Sequence, residues 1–276
     1  MNQEEKRLWL IRRLLAEDPQ YKDVGIPEEA QRQRDLLRAL MNVREAAPVD
    51  DAFLQVQDAY LSEENRSRGI TDAAELRPCA LSDRLFLWQG DITTLRIDAI
   101  VNAANSGMTG CYQPLHNCID NIIGSRAGVG LRLHLSRLME EQGHPEPPGR
   151  AKITPGFNLP CKYIIHTVGP IVEGELTQAH EQLLASCYRA CLDLARENRL
   201  AGIAFCCIST GVFCFPNRRA AEIAVETVRR WQVETGSGMQ VVFNVFKDLD
   251  REIYEQLLNG PVQTEGSGGS RHGQQD

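Results

Sequence analysis

The chain has 276 residues, of which 42% are hydrophobic, so it can bury a core of ordinary size. Its formal net charge is −7, which argues against nucleic acid as the main partner because phosphate backbones need a basic surface. No apolar run is long enough to span a membrane, and the charged start Met1–Arg7 lacks a secretory apolar stretch. The nine cysteines, an odd number, favour thiols that pack, bind metal or react, so we expect a cytoplasmic protein.

Residues 1–76 have a helical pattern throughout. Apolar side chains recur three and four positions apart, and Pro19, Pro27 and Pro48 divide the segment into separate runs. None of its residues suggests catalysis. We interpret this segment as a helical extension that serves as a cap or a docking domain.

From about Cys79 onward, short β-rich runs alternate with helical stretches. The predicted strands are Arg84–Gln89, Asp98–Ala103, Ala151–Phe157, Tyr163–Val168, Gly202–Ser209 and Gln240–Phe246. The predicted helices are Val129–Gln142, Gln178–Asn198, Arg218–Val233 and Asp250–Leu258. This alternation predicts an α/β domain over residues 77–260, with a mostly parallel sheet covered on both faces. Residues 261–276, rich in Gly, Ser and Gln, predict a disordered tail.

Several loops follow predicted strands, where α/β sheets bind ligands. In Gly90–Ile92, the Asp91 carboxylate can accept from an exocyclic amine such as that of adenine, although such an aspartate more often caps a turn. Asn102–Ser106 places two amides around small residues, which suits either ligand hydroxyls or an Asx-rich turn. Ser209–Phe213 offers backbone N–H groups to a diphosphate, and Ala127–Gly130, before a helix, is a second candidate.

The most unusual segment contains Cys111, His116 and Cys118 within eight positions. Gly110 and Pro114 predict that it is a loop. Two thiols and an imidazole are ligands suited to zinc, and three protein ligands with one open position are typical of catalytic zinc. The candidates for a fourth ligand, which would make the site structural, are His134, His144 and Cys161. The spacing is equally compatible with two buried cysteines and a surface histidine.

Taken in order, these loops resemble the macrodomain family of ADP-ribose-binding proteins. The matching segments are Gly90–Ile92, Asn102–Asn105, Ile119–Gly128 and Ser209–Pro216. The Cys111-x₄-His116-x-Cys118 insert and the helical extension are similar to the zinc-containing branch found in bacteria and fungi. The resemblance implies a three-layer α/β/α sandwich with a mixed sheet of about six strands, preceded by the helical extension.

The resemblance also implies a role for each loop. Asp91 would contact the adenine amine, with Ile92 and Phe246 nearby, and Asn105 would bind the distal ribose. The other residues implied to contact the ligand are Ala103, Ala104, Asn121, Ala127, Gly128, Val129, Ser209, Thr210, Gly211, Val212 and Phe213. A zinc ion held by the two cysteines and the histidine would lie beside the distal ribose.

The implied activity is zinc-dependent removal of mono-ADP-ribose from modified protein side chains, with Asp or Glu esters as the expected bonds. Asp120 and Asn105 are the implied catalytic residues: Asp120 would act on the attacking water, while zinc positions the ribose. Many relatives have His directly after the residue matching Ile123, whereas this chain has Gly124. That difference concerns the rate of reaction rather than ligand binding.

Two other functions remain open. The protein could be an ADP-ribose reader without catalysis, although a reader has no need of the Asp120 carboxylate. It could also hydrolyse small derivatives such as O-acetyl-ADP-ribose. As partners, the resemblance implies an ADP-ribosylated protein, a sirtuin-type ADP-ribosyltransferase and a lipoyl-carrier protein, with no membrane and no nucleic acid.

Overall fold

A computed structural model describes residues 1–260, so the tail predicted for residues 261–276 lies outside the described residues. The helices are α1 (Gln3–Glu17), α2 (Ala30–Val43), α3 (Asp51–Ser67), α4 (Ile119–Ala127), α5 (Val129–Gln142), α6 (Gln178–Glu197), α7 (Asn217–Thr235) and α8 (Asp248–Asn259). The strands are β1 (Thr71–Asp72), β2 (Pro78–Cys79), β3 (Ser82–Gln89), β4 (Leu95–Arg96), β5 (Ala99–Ala104), β6 (Ala151–Pro155), β7 (Tyr163–Val168), β8 (Gly202–Phe205) and β9 (Gln240–Val245).

The first three helices form an N-terminal extension that packs around an apolar cluster of its own. Asn2 begins α1 with a reciprocal capping pair to Glu5, and Asp50 begins α3 by accepting a hydrogen bond from the Phe53 N–H. The buried members of the cluster are Leu10, Ile11, Leu14, Leu37, Leu40, Met41, Phe53, Tyr60, Leu61 and Val129. Val129 belongs to α5, so the extension completes its core with a residue of the sheet domain.

The expectation of helix up to residue 76 is wrong beyond Ser67. Gly69 has a φ of +83°, in the left-handed region that favours glycine, and the chain leaves the helix there. It then enters β1, which pairs in parallel with β4. The extension is thus joined to the sheet domain through a small two-stranded ribbon.

The sheet domain contains seven strands in the order β2-β3-β9-β8-β5-β7-β6. The five central strands run parallel, and β2 and β6 lie antiparallel at the two edges. The sheet is therefore mixed, and the two-residue strand β2 makes it one strand larger than expected. Helices α4 and α5 pack together as one layer and α6, α7 and α8 as another, which gives the α/β/α sandwich.

The central strands are apolar along nearly their whole length because they are covered on both faces. All four residues of β8 are buried, as are five of the six residues in each of β5, β7 and β9. This is why these strands could be predicted as short continuous apolar runs. Within residues 1–260, no helix combines the length and the apolar character needed to cross a bilayer.

Candidate functional site

The predicted polar loops lie along the carboxyl edge of the parallel strands. Asp91 follows β3, Phe246 follows β9, and Ser209–Phe213 comes after β8. Ala103 and Ala104 are the last residues of β5, and Asn105 comes directly after them. These four strands are consecutive neighbours in the sheet, in this same order. The loops therefore form a row, which suits an elongated ligand with one end at Asp91 and the other at Asn105.

Asp91 lies at one end of this row as an ionised acceptor. Its Oδ1 accepts hydrogen bonds from the N–H and the hydroxyl of Thr93 at 2.9 and 2.6 Å, and its Oδ2 accepts from Arg68 at the end of α3. Burial would raise the pKa of this carboxyl, but the bonds from Thr93 and Arg68 outweigh burial and hold the pKa below its usual value. Ile92 is buried in the turn, whereas Phe246 is 76% exposed at the neighbouring strand end.

The loop Ser209–Phe213 presents backbone donors in the middle of the row. Within residues 1–260, the N–H groups of Gly211, Val212 and Phe213 donate to no protein acceptor. The Ser209 hydroxyl is buried and has no hydrogen-bond partner in this part of the chain. Several such N–H donors in a tight turn are suited to an anion, in agreement with the diphosphate contact predicted for this loop.

Asp120 lies at the other end of the row, in the first turn of α4, and is 7% exposed. Two side-chain amides hold its carboxylate: Asn102 Nδ2 lies 2.8 Å from Oδ1, and Asn105 Nδ2 lies 3.3 Å from Oδ2. Burial raises the pKa of Asp120 to about 6, and the Asn102 bond and the Arg132 charge oppose this rise. The structure thus brings together Asp120 and Asn105, the two residues predicted to be catalytic.

Cys111, His116 and Cys118 converge in the segment 109–118 before α4, which we call the Cys/His loop. One ligand atom from each residue lies within 4.8 Å of the others, and Cys111 Sγ is 3.5 Å from His116 Nδ1. The Cys118 thiol caps α4 by accepting a hydrogen bond from the Asn121 N–H at 3.4 Å. Burial raises the pKa of Cys118 to about 11, and the neighbouring Cys111 adds to the rise. A cation between the two thiols would favour their ionised forms.

Among the described residues, the cluster is a group of three. The residues suggested as a fourth ligand, His134, His144 and Cys161, are not part of it. A set of two thiols and one imidazole with a coordination position left over is the arrangement of catalytic rather than structural zinc. Asp120 is two residues beyond Cys118, so the cluster and the carboxylate occupy the same end of the row.

The junction between α4 and α5, predicted to contact the diphosphate, lies against the N-terminal extension. The Val129 N–H donates to Gln57 Oε1 at 2.9 Å, and the Val129 side chain packs within the extension. The Ala127 carbonyl accepts from Asn158 at 2.9 Å, and a Cβ on Gly128 would lie 2.6 Å from the Gln57 amide nitrogen. These contacts hold the junction against the N-terminal extension, and its contact with a diphosphate stays a prediction.

Asn121, whose contact with the ligand stays a prediction, supports the Cys/His loop. It is 1% exposed, and its Nδ2 donates to the carbonyls of Cys111 and Gln113 at 3.4 and 2.9 Å. Its Oδ1 accepts from Arg38 and from the Ser125 hydroxyl, at 2.9 and 3.2 Å. Both polar groups of this amide are therefore occupied by protein.

Gly124 leaves space behind Asp120. A Cβ at this position would meet no atom within 4 Å. The glycine lines a cavity of about 30 Å³ together with Asn102, Cys111, Asp120 and Arg132. The cavity is large enough for a single water molecule, and the polar groups of Asn102, Asp120 and Arg132 form part of its lining.

A series of buried side-chain hydrogen bonds, which the sequence did not predict, leads from Asp120 into the sheet. Asn102 Nδ2 also lies 3.2 Å from His166 Nδ1, and His166 Nε2 lies 3.0 Å from the Thr154 hydroxyl. Burial lowers the pKa of His166 to about 3, so its imidazole is neutral and Nδ1 accepts from the Asn102 amide. This contact turns the amide nitrogen of Asn102, rather than its oxygen, toward Asp120.

We expect His166 to make the fold less stable in acid. Its pKa rises from about 3 when folded to about 6.5 when unfolded. The unfolded chain therefore binds the extra proton, and stability falls as pH drops below about 6.5. At pH 5 the loss attributable to His166 should be about 2 kcal/mol, since each pH unit below 6.5 contributes about 1.4 kcal/mol.

Urea unfolding of the natural protein and of His166→Gln at pH 7 and pH 5 measures this loss. Asp120, with its raised pKa, acts in the opposite direction, but both proteins contain it, so the difference between them reports His166. His144→Gln, which changes an exposed histidine, is the control and should behave as the natural protein does. Equal acid sensitivity in His166→Gln and the natural protein would contradict the expectation.

Comparisons with known proteins agree with this geometry. A family model described as Macro domain matches residues 101–224. A protein-ADP-ribose hydrolase of Treponema medium is 54% identical over 261 residues, which cover 94% of this chain and 100% of that protein. A protein-ADP-ribose hydrolase of Staphylococcus aureus (strain MSSA476) is 54% identical over 226 residues, covering 82% of this chain and 84% of that protein.

Solved structures have the same fold. The structure of a Trypanosoma brucei macrodomain in complex with ADP-ribose matches with a TM-score of 0.63 and 28% sequence identity, covering 84% of this chain and 97% of that one. The expected α/β/α sandwich is confirmed by this match.

Proposed function

The chain belongs to the macro domain family, and we propose that it is a hydrolase that removes mono-ADP-ribose from modified protein side chains. The observation that carries the proposal is the buried Asp120 carboxylate, held by two amides at one end of a row of ligand-binding loops. The relatives in Treponema medium and Staphylococcus aureus, named protein-ADP-ribose hydrolases, support the same activity.

In this proposal, ADP-ribose lies along the row of loops. Asp91, an ionised acceptor, would bind the adenine amine, with Ile92 and Phe246 beside the base. The N–H groups of Gly211, Val212 and Phe213, which have no acceptor within residues 1–260, would bind the diphosphate. Asn105 would then meet the distal ribose, because its strand ends at the far side of the row.

Zinc would be held at the ribose end by Cys111, His116 and Cys118. Zinc–sulfur and zinc–nitrogen bonds of about 2.3 and 2.0 Å place the ligands of a tetrahedral site roughly 3.5 Å apart. The separation of 3.5 Å between Cys111 Sγ and His116 Nδ1 fits this requirement, as does the convergence of all three ligand atoms. When bound, the ion would supply Lewis-acid chemistry and orient the distal ribose.

Asp120 would act as general base toward the attacking water. The bond to be cleaved joins C1″ of the distal ribose to a side-chain oxygen, which we propose is that of an Asp or Glu ester. Asp120 would accept a proton as the water oxygen bonds to C1″, and the electron pair of the broken bond would leave with the side-chain carboxylate. Asn102 and Asn105 would hold the Asp120 oxygens in place for this transfer.

Incubation with a protein mono-ADP-ribosylated on Asp or Glu tests the proposal. We expect free ADP-ribose and unmodified protein, detected by chromatography and mass spectrometry, at a higher kcat/KM than for O-acetyl-ADP-ribose. A lipoyl-carrier protein modified by a sirtuin-type ADP-ribosyltransferase is the first substrate to try, because the sequence resemblance implies these partners. Binding without release would make the protein a reader, and preference for O-acetyl-ADP-ribose would make it an enzyme of small esters.

A further inference from the structure

The Cys/His loop is held from outside the sheet domain, by side chains of the N-terminal extension. Asn42, near the end of α2, accepts a hydrogen bond from the Leu115 N–H through Oδ1 at 3.0 Å. Arg38, one turn earlier on the same helix, donates through Nη2 to the His116 carbonyl at 2.6 Å. These two contacts enclose the dipeptide Leu115–His116, one at its first N–H and the other at its last carbonyl.

The conformation of this dipeptide requires such support. Leu115 has a φ of +57°, in the left-handed region that residues with a side chain rarely adopt. The backbone at Leu115 sets the direction of the following side chain, that of His116, whose Nδ1 faces Cys111. Asn42 is well placed to hold it, because the amide is 3% exposed and its Nδ2 donates to the Ser125 hydroxyl at 2.9 Å.

The Arg38 guanidinium also reaches the middle of the Cys/His loop. Arg38 Nη2 donates to Asn121 Oδ1 at 2.9 Å, and this orients the Asn121 amide. Asn121 Nδ2 then donates to the Gln113 carbonyl at 2.9 Å. Arg38 is therefore connected to two points of the Cys/His loop, once directly and once through a buried amide.

The beginning of the Cys/His loop is linked to the extension by a residue of the sheet domain. Arg132, on α5, donates through Nε to the Thr109 carbonyl at 2.8 Å and through Nη1 to the Asn42 carbonyl at 2.9 Å. Its guanidinium carbon lies 4.1 Å from the centre of the Tyr112 ring. Arg132 thus links the start of the Cys/His loop to the end of α2.

We propose that the N-terminal extension is a structural part of the Cys/His site, with Asn42 and Arg38 as positioning residues for His116. The inference deepens the proposed function, because it rests on the same three metal ligands. It gives a role to a segment that the sequence suggested only as a cap or docking domain. Neither residue is itself a metal ligand: both act through the backbone on either side of the imidazole.

Substitution of Asn42 tests the inference through metal affinity. Asn42→Ala removes the acceptor of the Leu115 N–H, and we expect zinc to bind roughly 10–100-fold more weakly, as measured by competition with a chromophoric chelator. Asn42→Asp keeps an oxygen at the same position and should restore most of the affinity. Arg38→Gln, which cannot reach both acceptors, should weaken zinc binding by a similar factor.

Asn65→Ala is the matched control. Asn65, on α3, is another buried amide of the extension, and it donates to the carbonyls of Arg126 and Asn158 at 3.1 and 2.8 Å, away from the Cys/His loop. Its loss should lower the free energy of unfolding but leave zinc affinity within about twofold of the natural value. Equal zinc affinities in Asn42→Ala and Asn65→Ala would overturn the inference.

Hydrogen exchange of the metal-free protein separates this inference from the proposed function. Amides in residues 109–118 should exchange faster in Asn42→Ala than in the natural protein or in Asn65→Ala. Unchanged exchange would refute the positioning role, whatever the enzyme does. Faster exchange with weaker zinc binding, in a protein that releases no ADP-ribose, would leave the positioning role intact and reject the proposed reaction.

Discussion

Replacement of Asp120 by alanine is expected to lower the turnover of an ADP-ribosylated protein by a factor of roughly 10²–10⁴, the usual contribution of a general base. ADP-ribose should still bind, because the proposed contacts of the adenine and the diphosphate lie elsewhere in the row of loops. Single-turnover release of ADP-ribose measures the chemical step, and calorimetry with free ADP-ribose measures binding.

Two further variants make this expectation specific. Asp120→Asn keeps the size of the side chain but cannot accept a proton, so it should be nearly as inactive as Asp120→Ala. Asp91→Ala, at the opposite end of the row, should instead weaken ADP-ribose binding more than it lowers kcat. If Asp120→Ala released ADP-ribose at the natural rate, Asp120 would have no role as the base.

Removal of the proposed zinc ion should lower turnover by a comparable factor. We expect the purified protein to contain one zinc ion per chain, and chelation to reduce turnover at least 100-fold, since Lewis-acid stabilisation amounts to several kcal/mol. Added zinc should restore the activity. Elemental analysis measures the metal content, and the release assay is run before chelation, after chelation and after zinc is returned.

Ligand variants decide whether the Cys/His loop holds this ion. His116→Ala and Cys118→Ser should each lose both zinc and turnover, because three ligands leave no protein group to substitute for the missing one. His144→Ala, which changes an exposed histidine outside the cluster, should keep both. Full activity in a protein free of zinc would remove the metal from the proposed mechanism.

The sequence predicted much of the sheet domain because its elements have clear local patterns. The bounds of Tyr163–Val168 and Val129–Gln142 agree with the structure, since the first is a short β-rich and mainly apolar run and the second has regular helical spacing. The helix Ile119–Ala127 is absent from the predicted helices, because Gly110 and Pro114 just before it favour a loop. The missed signal was Cys118 as a cap, with Asp120 in the first turn and apolar residues following.

The sequence predicted the residues of the candidate site but not their hydrogen bonds to residues far away in the chain. Asp120, Asn105 and the Cys/His cluster came from motifs, which are local. The contacts of Gln57 and Arg68 with the sheet domain span 72 and 23 residues, and no local pattern announces such pairs. His166 and the adjacent Thr167 lie within an otherwise apolar strand, where two polar residues look like exceptions until the neighbouring strands are known.

The helical extension and the sheet domain each complete the structure of the other, through residues that are far apart along the chain. Val129 completes the core of the extension, and Arg38 reaches Asn121 across 83 residues. Because closing long loops costs entropy, we expect contacts of this kind to form late in folding. During synthesis, helices α1 to α3 leave the ribosome well before their partners exist, so we expect the Cys/His loop to acquire its native shape only after much of the sheet domain has been made.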